Sequence, residues 1–123
     1  MKLHLASQTG LNLFTGYGTG YVMLIQQRHQ HSLVVMPQRA IEPWAPADFD
    51  QLEAAHFEFL LGFNPEIVLL GTGAKLRFPP PAMTRCLSAR NIGLEVMDTG
   101  AACRTYNILT SEGRNTAAAI LLR

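Results

Sequence analysis

The stretch Pro65-Glu66-Ile67-Val68-Leu69-Leu70-Gly71-Thr72-Gly73 holds four apolar residues in a row with no polar alternation, closed at once by two glycines around a threonine. A strand with one wet face alternates, so an unbroken apolar run of this length reads as a strand covered on both faces. That demand constrains the fold more than any other feature. It calls for layers on both sides of a sheet, and the remaining segments supply them. Upstream, "AIEPWAPADFDQLEAAHFEFLLGFNP" begins as a short strand, breaks at Pro43 and Pro46 and turns helical. Phe49, Leu52, Ala55, His56, Phe59 and Leu60 recur at helix spacing as one apolar stripe. Asp48 is placed to cap the first turn, with Gln51 completing a capping-box pattern, and Gly62 and Pro65 end the helix. Downstream, a proline tract leads to a short helix over "MTRCLSARN", another buried strand at "IGLEVMD", a third helix over "TGAACRTYNILTSEG" and a last strand at "NTAAAILL". Strands alternating with helices predict a layered α/β domain.

The first third reads differently. "LNLFTGYGTGYVMLIQ" and "HSLVVMP" are extended runs around glycines, which predicts an N-terminal hairpin or small meander with Gly16, Gly18 and Gly20 at turns or a bulge. A phosphate loop would need a helix directly after those glycines, and a strand-like run follows instead. The segment "QRHQHS" reads as an exposed hairpin tip. At 123 residues the chain is expected to form one domain, 1–123, able to fold without metal or disulfide. Cys86 and Cys103 belong to no metal-ligand spacing and are expected to be reduced and partly buried, as in a cytoplasmic protein. The opening "MKLHLASQTG" carries no signal-peptide pattern, and no run approaches the ~20 apolar residues of a membrane span.

Charge is spread unevenly. From Lys75 onward seven bases face three acids, whereas before it three bases face six acids. The basic second half could attract a small anion or an acidic partner surface, but it is too dilute for nucleic-acid binding, which needs clustered phosphate contacts.

Two turns are candidate sites. Asp98-Thr99-Gly100 has the triplet of dimeric aspartic proteases, but there it precedes a flap and several strands, whereas here one helix and one strand follow. The structural reading is that Asp98 or Thr99 caps the third helix. The functional reading uses the same open N–H groups to hold a small anion. Gly71-Thr72-Gly73 is either a tight turn or the edge of a crevice at the carboxyl end of a central strand, and it lacks the third glycine of a dinucleotide fingerprint. Together they suggest one shallow crevice made by Thr72, Gly73, Asp98, Thr99 and Gly100, with Lys75, Arg77 or Arg104 nearby to attract an acid. Asn107, at the boundary of the third helix's stripe, is either a structural bridge or a ligand contact. His29 and His31 would share one face of a strand as a metal pair does, but no third ligand stands near, so no metal and no cofactor are expected. His4 and His56 show no partner in the sequence. Trp44, between Pro43 and Pro46, either packs over the sheet edge or offers a partner surface.

"GTG" after a buried strand, then "GLEVMDTGAACRTYNILTSEGR" and a short apolar terminal strand, resembles a family of domains of unknown function that includes a mitochondrial NADH:ubiquinone oxidoreductase (complex I) assembly factor. The likeness is most specific over residues 98 to 114, where Asp98, Thr99, Gly100, Ala102, Thr105, Tyr106, Asn107, Leu109, Glu112 and Arg114 match the signature. It implies a three-layer α/β domain with a central mixed sheet and no established activity or catalytic residues. The mitochondrial relatives act through protein contacts. No transit peptide is expected from the opening residues, and the brevity of the chain is that expected of a bacterial protein. A non-enzymatic binding or assembly-type module is therefore the leading expectation, and a small-molecule or anion site at the two glycine-bearing turns is the alternative.

Overall fold

The computed structural model describes residues 10–123. His4 and most of the opening decapeptide lie outside the described residues. A five-stranded mixed sheet, in the order β5-β4-β8-β6-β7, forms the centre. Its strands are β4 (Leu33–Met36), β5 (Arg39–Ile41), β6 (Ile67–Thr72), β7 (Gly93–Met97) and β8 (Thr116–Leu121). β6 is parallel to both of its neighbours, β7 and β8, while β4 runs antiparallel to β8 and β5. The unbroken apolar run is thus an inner strand. Its alternate side chains feed two separate cores: Val68 and Leu70 point into one, Leu69 into the other.

The first core lies under α1 (Ala54–Leu61) and α2 (Pro81–Ala89), where Phe57, Leu60 and Leu87 meet Val34, Leu70 and Leu121. The second lies under α3 (Thr99–Ser111) and a small antiparallel sheet, β1-β2-β3, built from Phe14–Gly18, Tyr21–Leu24 and Gln27–His29. There Phe14, Val22, Cys103 and Tyr106 pack on Leu33, Leu69 and Ile120. Helices, central sheet, then helix with meander make the three layers that the sequence calls for. Ala117, Ala118 and Ala119 fill the middle of β8, all fully buried, so both outer layers can approach the sheet closely.

Four local expectations are corrected. β7 was expected to be buried, but it is an edge strand paired only with β6, and Gly93 and Glu95 are exposed. Asp48 caps a single 3-10 turn, Phe49–Gln51, and Gln51 Oε1 accepts from the Ala47 amide, so the capping box does not start the long helix. α1 begins five residues later, where His56 Nδ1 accepts the Glu53 N–H at 2.9 Å. The extended Leu52 between the two rotates the phase, so the buried positions are Leu52, Phe57 and Leu60, while Ala55 and Phe59 face solvent. Finally, "QRHQHS" is no hairpin tip: Gln27–His29 is a strand, and the tip is Ile25-Gln26. Both tip residues take positive φ, 49° and 63°, the twist that a two-residue hairpin connection needs.

Candidate functional site

Because β6 and β7 are parallel, their carboxyl ends open on the same rim. Thr99, the first residue of α3, ties that rim together. Its hydroxyl accepts the Gly73 N–H at 2.8 Å and donates to the Leu121 carbonyl at 2.6 Å, and its own amide donates to the Gly73 carbonyl at 2.9 Å. One buried side chain thereby joins the ends of β6 and β8 to the start of α3. The approach is too close for a side chain on Gly71, whose added Cβ would stand 3.0 Å from Thr99 Oγ1 and 3.1 Å from Thr99 Cα. Gly73 takes φ +90°, which favours glycine for a second reason. Asp98 Oδ1 accepts the Ala101 N–H at 2.9 Å and so caps α3.

Above this knot lies a depression of about 470 Å³. Of the nine candidates named from sequence, five line it: Gly73, Asp98, Thr99, Gly100 and Arg104. Tyr17 and the β1–β2 turn form its other wall, with Arg123 at the edge. Arg104 donates to the Tyr17 hydroxyl and sets its guanidinium 5.7 Å from the centre of that ring. Tyr17 lies so close over Gly100 that an added Cβ would come within 2.7 Å of it. Sequence reasoning assigned the TGYGTG segment to turns and missed this wall. An aromatic between glycines was the available signal, but no local spacing shows that it crosses to α3.

The other four, Thr72, Lys75, Arg77 and Asn107, lie elsewhere. The Thr72 hydroxyl donates to the Lys75 carbonyl at 2.6 Å and accepts the Arg77 N–H at 3.2 Å, closing the turn after β6. Arg77 turns toward residues 49 and 50, with its guanidinium 4.2 Å over the Phe49 ring and 2.9 Å from Asp50. Lys75 is exposed and does not line the depression. Asn107 is 1% exposed, and its amide grips the β1 backbone in both directions: Oδ1 accepts the Phe14 N–H at 2.9 Å and Nδ2 donates to the Phe14 carbonyl at 2.8 Å. Of the two readings given to it, the bridge is the one the geometry has.

Burial pushes the Cys103 thiol, next to Arg104 in sequence, up to about 12, so it stays protonated at neutral pH. Burial likewise raises Cys86, with Glu58 adding to the effect, and both cysteines are free. His29 Nδ1 sits 2.8 Å from Glu42 Oε1 rather than beside His31, and no group of three His, Cys, Asp or Glu among the described residues has metal-site geometry.

The model of a family described as a protein of unknown function, DUF498/DUF598, matches residues 14–121. The chain belongs to this family. A crystal structure of a Bordetella parapertussis protein shares 37% of its sequence and superposes with a TM-score of 0.86, covering 94% of this chain and 98% of that one. A Bos taurus relative named NADH dehydrogenase (ubiquinone) 1 alpha subcomplex assembly factor 3 is 34% identical over 89 residues, which is 71% of this chain and 48% of that protein. A Francisella tularensis relative, named a 13 kDa major membrane protein, is 29% identical over 109 residues, 88% of this chain and 89% of that one. The family likeness read from residues 98 to 114 is thus borne out. Among the described residues no helix is long and apolar enough to cross a membrane.

Proposed function

We propose that this chain is a non-enzymatic binding module of the assembly-factor type, a single folded unit that acts in the cytoplasm by holding a protein partner. The observation that carries the reading is how the polar residues of the signature are used. Asp98 caps a helix, Thr99 ties β6 and β8 to the start of α3, and Asn107 fastens the meander to α3. A stretch this committed to internal hydrogen bonds is a scaffold, and what a scaffold presents is its surface. The relatives named for assembly of the NADH dehydrogenase supply the partner class, NADH dehydrogenase subunits.

The test is deletion of the gene in its own host. Native gels of solubilised membranes should then show NADH dehydrogenase subcomplexes accumulating, restored by the wild-type chain. A fully assembled complex at wild-type level in the deletion strain would overturn the reading.

A second reading rests on one specific observation, that five candidates chosen from sequence, Arg104 among them, line one depression together with Arg123. It makes the depression a site for a small anion. A melting temperature that rises with orthophosphate or citrate as mass action requires, and fails to rise in Arg104→Ala, supports it. A flat response in the wild type removes it.

A further inference from the structure

Trp44 is buried at 3% exposure, yet its indole N–H has no acceptor among the described residues. The edges of His56 and Phe57 hold its ring, each with a centroid separation of 6.2 Å. Beside it lies a pit of about 340 Å³ lined by Pro43, Trp44, Ala45, His56 and Phe59. Phe59 stands at its rim 47% exposed, steadied from behind by Phe63 at 5.3 Å. His56 accepts the Glu53 amide at Nδ1, so the neutral ring carries its proton on Nε2. The walls of the pit are apolar, and the indole nitrogen is itself shielded from the surface. A buried donor with nothing to donate to is a local cost to the fold.

The setting is acidic. Residues 42 to 58 carry Glu42, Asp48, Asp50, Glu53 and Glu58 and no lysine or arginine. Arg77 pairs with Asp50 and His29 with Glu42, while Glu53 and Glu58 stay exposed at the cap and on the body of α1, the helix that supplies His56 and Phe59. Arg39 stands 4.9 Å over the Phe63 ring behind Phe59, while the exposed carboxylates belong to α1 itself, and an apolar pit beside them suits an apolar side chain flanked by positive charge.

We propose that the Trp44 pit docks an apolar anchor from a basic segment of a partner protein. The proposal rests on the protein-binding reading above and names the surface and the partner chemistry.

Trp44 is the sole tryptophan, so its fluorescence and its indole N–H resonance report on this site alone. The full chain is titrated with acetyl-Arg-Lys-Leu-Arg-Lys-amide, with the same peptide carrying Ala for Leu, and with acetyl-Glu-Glu-Leu-Glu-Glu-amide. The expected result is a saturable shift of both signals with the first peptide, about tenfold weaker binding of the other two, and affinity that falls with added salt. Phe59→Ser should weaken the first peptide about tenfold and Glu58→Gln about threefold, and both substitutions lie on the surface, so unchanged melting curves show that the fold is kept. Equal response to all three peptides overturns the proposal. So does acetophenone saturating the same signals more tightly than the peptide, which would make the pit a small-molecule site, or a shift that grows with protein concentration alone, which would make the occupant a second copy. If the peptides leave Trp44 silent while gene deletion still disrupts assembly, the pit falls and the protein-binding reading stands; if they bind and deletion has no effect on assembly, the reverse holds.

Discussion

The rim around Thr99 and the pit around Trp44 lie on different parts of the fold and treat polar groups in opposite ways. At the rim the Thr99 hydroxyl both accepts and donates, the Asp98 carboxylate caps, and three chain segments are locked by short hydrogen bonds. At the pit an indole donor is left without a partner and a phenylalanine stands half in solvent. The residues that looked most like a site, an acid and a threonine between glycines, are engaged in internal hydrogen bonds. Among the described residues, one of the buried donors without a partner, the Trp44 indole, sits outside the signature stretch. Signature polarity can mark a fold that is hard to build, whereas a binding surface shows as what the fold leaves unfinished.

The comparison breaks most readily at the locked side. Thr99→Val removes both hydroxyl bonds and strands the buried Gly73 N–H and Leu121 carbonyl, so urea unfolding should show a loss of about 2–4 kcal/mol. Asn107→Leu should cost about 2–4 kcal/mol by the same measurement, because it leaves both polar groups of Phe14 in the core without partners. A loss below about 1 kcal/mol in either would mean that the rim and the bridge are not what holds these segments together.

Asp98 sharpens the contrast between scaffold and site. Asp98→Ala should cost about 1 kcal/mol, the worth of a helix cap, while Asp98→Asn should stay within a few tenths of wild type because asparagine caps as well. If Asn costs as much as Ala, the charge itself matters and the rim carries more than a cap.

On the open side, Arg77→Ala should change stability by less than about 1 kcal/mol, since the ion pair with Asp50 and the stack on Phe49 are exposed. The smallest effect concerns acid. Glu66 has its carboxyl held below the ordinary value of 4.5, first by the Asn115 N–H it accepts and also by Arg114. A carboxyl with a lowered folded pKa adds stability above its unfolded pKa and loses it as pH falls through the folded one. The acid limb below about pH 4.5 should therefore be slightly shallower in Glu66→Gln, as read from urea midpoints at pH 6 and pH 3.

How much was legible differs along the chain for a physical reason. The inner strand β6 was readable because four consecutive apolar residues have no other stable use, and α3 because its cap and its stripe agree. The phase of α1 was not, since Asp48 supplies a real cap for a turn that then stops at Leu52. Nor was β7's place at the sheet edge, because Ile92, Leu94 and Val96 read the same in a central strand as in an edge strand resting on one core. Arg77 and Asn107 were chosen for chemistry and proximity in sequence, yet a side chain reaches several ångströms in any direction, and theirs reach away from the rim.

The sequence by itself determined the layers. Apolar periodicity, glycine and proline stops and helix caps act over a few residues and through nearest neighbours, so they can be read in one dimension. Only the tertiary structure decided which polar groups are satisfied: that Thr99 meets Leu121, that Asn107 meets Phe14, and that Trp44 meets no acceptor among the described residues. Those outcomes depend on pairings between residues up to 93 positions apart, which the packing of the layers sets and no local spacing encodes.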